Sequence, residues 1–272
     1  MIERQVTICA DDFGQNQSID HGILELVQLK RLQAVTVFTE STGWQLRASQ
    51  LKSFEKDIDI GIHLNLTQCF PNSSKKYPLN ELLLRSHLRL INPQIIKDSF
   101  REQIKLYVAK MNALPNFLDG HQHVHAFPVI NQALQEIIVE FWGKNPTLYV
   151  RDTSKLSIHL DRFLLKKIIL KVSCAGLSKK LSAIGVNTTQ EFTGVYNFSP
   201  TTNYSALVES WFNQSHHHSL MMCHPARAPK SDDDPLHEAR LNEFNYLSSD
   251  HFLAVCNSLK VKLVKYSETI PT

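Results

Sequence analysis

Two adjacent aspartates, Asp11 and Asp12, close an apolar run in the stretch "ICADDFG". Paired carboxylates repel one another when both are ionised, and a bound cation is the simplest compensation. Other residues able to serve a cation sit at the ends of later apolar runs. These are His63 and Asn65 in "IDIGIHLNL", Asp119 with His121, His123 and His125 in "NFLDGHQHVH", Arg151 and Asp152 in "TLYVRD", and His224 in "SLMMCHPA". An Asp–His–His set suits zinc, magnesium, manganese, cobalt or ferrous iron with positions left open for water and substrate. A closed structural zinc site is excluded, because Cys9, Cys69, Cys174, Cys223 and Cys256 are scattered and contain no CxxC pair. Three ligands plus water is a hydrolytic arrangement, in which the cation acidifies the water and polarises a carbonyl. One aspartate then serves the metal and the other accepts the water's proton, while a histidine across the site protonates the leaving amine.

Simpler readings stand beside these. Asp11 and Asp12 could cap a following helix, and a lone His63 could be a hydrogen-bonded structural residue. "HQHVH" is harder to set aside. In an extended chain its three histidines share one face, and in a helix His121 and His125 do. The run His216-His217-His218 is expected in a solvated turn with no metal role, and Arg240 with Glu243 is expected as a surface pair at i, i+3.

The elements that must carry these residues follow from periodicity. "VTICA", "AVTVF", "IDIGIHLNL", "NFLDG", "TLYVRD", "SLMMCHPA" and "VKLVKY" read as strands. Helical patterns lie between them: "SIDHGILELVQLKR" with Ser18 as N-cap, a stretch from about Pro93 to Asn112, and "FPVINQALQEIIVEFW". Residues 69–80 read as a loop, and 154–186 as a basic amphipathic segment that either covers the barrel or sheet with its lysines in water or lies on a membrane surface, the former being the simpler reading. Strands alternating with helices predict a parallel α/β fold, either doubly wound or a barrel, whose functional groups gather at the carboxyl ends of the strands.

The chain has 272 residues, 43% hydrophobic and 20% charged, with a formal net charge of +3. That fits one domain over residues 1–272 and offers no basic stripe for nucleic acid. No run of roughly 18 apolar residues predicts a membrane span. The unpaired cysteines and the lack of a secretory signal lead to an expected cytoplasmic location.

"ADDFG", "GIHLNLT" and "DGHQHVHAFPVI", in that order, with "VRD" and "CHPA" after them, resemble the YdjC-like family of carbohydrate deacetylases from about Val6 to Ala226. The resemblance implies an irregular, TIM-like (β/α) barrel and one divalent ion, magnesium or zinc. It implies release of acetyl from N-acetylated amino sugars of the chitooligosaccharide type or a related glycoconjugate. Carried onto this chain, Asp12, His63 and His121 become the metal ligands, Asp11 the general base and His224 the acid. His125 and Arg151 would line the substrate cleft, with His123 as a support behind the ligands. Some relatives pair as dimers, so a homodimer is also an expectation. A non-catalytic sugar- or metal-binding barrel is the alternative, though it would need neither Asp11 nor His224. The basic segment 154–186 keeps a glycolipid substrate, of hopanoid type, in view as a second alternative.

Overall fold

The computed structural model describes residues 3–71, 73, 76–143, 147–156, 168, 171–215, 218–228 and 234–270. The strands are β1 (Arg4–Phe13), β2 (Ala34–Val37), β3 (Asp59–Leu64), β4 (Phe117–Gly120), β5 (Tyr149–Val150), β6 (Asn187–Thr188), β7 (Glu191–Thr193), β8 (His218–Cys223) and β9 (Val261–Leu263). Their order is β6-β5-β4-β3-β2-β1-β8-β7, with β9 added on β1, and every pairing is parallel. Strands one to eight thus follow chain order around a curled sheet, as in a (β/α) barrel. Among the described residues no ladder joins β6 to β7, and an isolated bridge between Leu156 and Phe192 spans that side.

The helices are α1 (Gln17–Gln28), α2 (Thr42–Lys52), α3 (Leu79–His87), α4 (Pro93–Met111), α5 (Ile130–Trp142), α6 (Leu177–Ser182), α7 (Tyr204–Gln214), α8 (His237–Ser248) and α9 (Asp250–Ser258). The α1 stripe of Ile19, Ile23, Leu26 and Val27 is buried against the sheet as its spacing predicts. Its cap is Asn16 rather than Ser18, whose hydroxyl instead donates to the Arg227 carbonyl. α4 begins with Asn92 as cap and Pro93 in the first turn, and ends at Asn112 in the left-handed region.

Alternation along the strands sorts two cores. Ile8, Ala10, Ile60, Ile62, Leu118 and Val150 join the outer core under the helices. Their neighbours Cys9, Phe117 and Tyr149 form a separate interior cluster with Leu220, Met222 and Phe192. Phe117 stacks on Tyr149 with ring centroids 4.9 Å apart. Gly61 makes room for that stack, because a Cβ there would stand 2.6 Å from the Phe117 ring.

His218 corrects one expectation. It opens β8, is buried, bonds the Thr7 and Thr269 hydroxyls and stacks on Tyr266 at the amino end of the barrel. Burial lowers this ring's pKa to about 4. His216 and His217 lie outside the described residues, as does much of 154–186, of which α6 is the described helix. Among the described residues no helix is long and apolar enough to cross a membrane.

Candidate active site

The carboxyl ends of β1, β3, β4, β5 and β8 bring Asp11, Asp12, His63, Asp119, Arg151 and His224 together. A regular strand would send Asp11 and Asp12 to opposite faces. Here the β1–β2 register shifts between Ala10 and Phe13, and Asp12 has φ of 71°, in the left-handed region. This local break buries both carboxylates at one strand end.

Asp12 Oδ1 lies 3.4 Å from His63 Nε2 and 3.3 Å from His121 Nδ1, and those two nitrogens are 3.3 Å apart. Asp12 Oδ1 is buried and makes no well-formed hydrogen bond. His63 Nδ1 faces Asp119 Oδ1 at 2.8 Å, which directs Nε2 into the cluster, and the Thr36 hydroxyl donates to the same carboxylate oxygen. Phe38 packs edge-on against both histidine rings. Burial depresses the His63 pKa, yet Asp119, Asp12 and Asp11 more than offset it and raise the ring to about 10. Asp12 is pushed up by burial but held well below the usual carboxylate range by Arg240 and the two histidines. Asp12, His63 and His121 fit a divalent ion in donor type and convergence.

Asp11 is gripped through both oxygens by the Arg151 guanidinium, at 2.6 and 2.7 Å. Arg151 also reaches Asp119 Oδ2 at 2.7 Å and Cys9 Sγ at 3.1 Å. Cys9, Asp11 and Asp119 thus cradle a guanidinium rather than a second metal. His224 Nε2 stands 3.9 Å from Asp11 Oδ2, and burial lowers this imidazole to about 4.

Two residues expected to line the cleft lie beneath it. Arg151 and His125 are fully buried. Arg151 is consumed by its carboxylate partners, and His125 Nε2 donates to the Arg151 carbonyl at 2.8 Å, supporting the end of β5. "HQHVH" is neither extended nor a regular helix. It is a tight 3-10 turn with Gln122 and His123 in the left-handed region. Only His121 of the three reaches the ligand cluster, while His123 packs edge-on against Phe192.

Arg240 and Glu243 correct the expected surface pair, since both are buried. Arg240 Nη2 donates to Asp12 Oδ2 at 2.7 Å, and its Nε faces Asp234 Oδ2 at 3.0 Å. Glu243 accepts the His224 backbone N–H and the Tyr196 hydroxyl, and burial raises its pKa to about 7. The sequence signal for this was faint: α8 ("HEARLNEFNYLS") lacks a clean apolar stripe, so polar residues must occupy its inner face. Phe198, edge-on to His224 at 5.0 Å and with φ of 54°, had no signal in the sequence.

A parallel (β/α) barrel with an Asp–His–His cluster beside a second aspartate is thus the class that fold and site define. The profile of YdjC-like proteins matches residues 5–258, and the chain belongs to that family. A carbohydrate deacetylase of Xenopus laevis is 26% identical over 152 residues, covering 50% of this chain and 48% of that protein. A chitooligosaccharide deacetylase of Serratia marcescens is 25% identical over 136 residues, covering 47% of this chain and 53% of that protein. The chain spans about half the length of such curated relatives. A structure from Enterococcus faecalis, provisionally described as a cellobiose-phosphate cleavage protein, aligns with a TM-score of 0.69 at 17% identity, covering 99% of this chain and 100% of its own. An acetyl xylan esterase from Clostridium thermocellum in complex with a cobalt ion aligns at 0.52 with 10% identity, covering 97% of this chain and 89% of its own. Both support the fold.

Proposed function

We propose that this protein is a metal-dependent deacetylase that hydrolyses the N-acetyl group of an amino sugar, of the kind found in chitooligosaccharides. The observation that carries the reading is the convergence of Asp12 Oδ1, His63 Nε2 and His121 Nδ1 next to the Asp11–His224 pair. The relatives' names supply the acetyl group and the carbohydrate. Asp12, His63 and His121 would hold one divalent ion, which when bound acidifies a water and polarises the amide carbonyl. Asp11 accepts the water's proton. Arg151 fixes that carboxylate in direction through both of its oxygens. His224, whose Nε2 stands 3.9 Å from Asp11, receives that proton and gives it to the amine nitrogen as the C–N bond breaks, so that Asp11 and His224 both end as they began. The products are a free amino sugar and acetic acid, which leaves as acetate and a proton. Mere binding of a sugar would explain the metal cluster but not the Asp11–His224 pair.

The test is acetate release from a panel of N-acetylated amino sugars and their oligomers, using metal-stripped protein with zinc, magnesium, manganese or cobalt added back singly. Acetate that appears only after metal addition is expected. No acetate from any member, with metal bound, would overturn the reading.

A further inference from the structure

Asp12 faces a choice that its two oxygens do not settle alone. A carboxylate can present one oxygen or both to a cation, and its terminal torsion is soft. Here Oδ2 is taken by Arg240 Nη2 at 2.7 Å, while Oδ1 is left without a hydrogen bond beside His63 Nε2 and His121 Nδ1. Arg240 comes from α8, 228 positions later in the chain. It is 3% exposed and is paired in charge with Asp234, whose Oδ2 stands 3.0 Å from its Nε without hydrogen-bond alignment. Its backbone is anchored too, since its carbonyl accepts the Ala226 N–H just beyond β8. We infer that Arg240, braced by Asp234, is a positioning residue that locks Asp12 so that Oδ1 alone is offered to the metal.

This inference rests on the proposed metal role of Asp12, His63 and His121. It also assigns a cost. A guanidinium so near the site repels a dication, so charge alone would make Arg240 weaken metal binding. Positioning and charge therefore predict opposite effects of removing it. If positioning dominates, losing the clamp weakens binding by the roughly 10–100-fold typical of groups that orient a metal ligand. If charge dominates, binding tightens.

The experiment is calorimetric titration of metal-stripped protein with zinc and with cobalt. The cobalt visible spectrum reports the ligand field directly. The set is the parent, Arg240→Met, Arg240→Lys, Asp234→Asn and Asp12→Asn. The expected result is a Kd about 10–100-fold higher for Arg240→Met, with an altered cobalt spectrum. Arg240→Lys should recover part of the loss, and Asp234→Asn should weaken binding in the same direction by less. Arg240→Met binding as tightly as the parent, or more tightly, overturns the inference. Should Arg240→Met not fold, Asp234→Asn decides, and a parent-like Kd and spectrum there overturn it. Failure of the underlying metal reading looks different: the parent would bind no metal, or Asp12→Asn would bind as well as the parent, and the inference would fall with it.

Discussion

Asp11 and Asp12 are neighbours with different partners, and those partners suit the different tasks proposed for them. Arg151 occupies both oxygens of Asp11, whereas Asp12 shares one with Arg240 and leaves the other beside two histidines. The convergence of Asp12, His63 and His121 was legible because Asp and His at the ends of apolar runs come together when the strands are parallel. Arg240 was not legible, because a charged residue in a helical pattern reads as solvated until the helix is seen to turn that face inward. Asp119 stood in the sequence only as one more strand-end acid. In the structure it orients His63 and shares Arg151. Burial pushes its pKa up, but Arg151 and His63 pull it well below the carboxylate norm. Asp119→Asn would turn an amide toward His63 and remove one of the two carboxylates around Arg151. Metal titration should then show a Kd about 10–100-fold higher, and calorimetry a lowered Tm. A parent-like Kd would show that His63 needs no such support.

At the scale of elements, alternation is what separates site from core. In β3, Ile60, Ile62 and Leu64 face the helices, so His63 and Gly61 face the interior. That pattern is written plainly in "IDIGIHLNL". The turn at "HQHVH" was not, because both regular readings assume one repeated backbone conformation, and Gln122 and His123 abandon it. β6 and β7 were missed for a different reason. Two and three residues long, they are too short for any periodicity to show. Gly61 offers a test of the interior packing. Gly61→Ala should destabilise the protein by about 1–3 kcal/mol through contact with the Phe117 ring. Adding Phe117→Leu should recover part of that loss, so that the double variant is more stable than the two single costs predict. Strict additivity in denaturant unfolding would place the strain elsewhere.

Across the whole molecule, the barrel gathers groups that the chain keeps far apart. Asp12 comes from the first strand, His63 from the third, His121 from the turn after the fourth, His224 from just beyond the eighth, and Arg240 from a helix near the end. The parallel α/β class was readable in the alternation of strands and helices, and the strand order makes it a barrel rather than a doubly wound sheet. All five cysteines are free, in keeping with their scattered spacing. The proposed function divides labour at one strand end, with Asp12 for the metal and Asp11 for the proton. The decisive variant is Asp11→Asn, with metal affinity and acetate release measured on the same preparation. The expected result is a near-parent metal Kd and acetate release lowered by about 10²–10⁴-fold, the usual contribution of a general base. Near-parent turnover in Asp11→Asn would contradict it, and so would loss of metal together with activity.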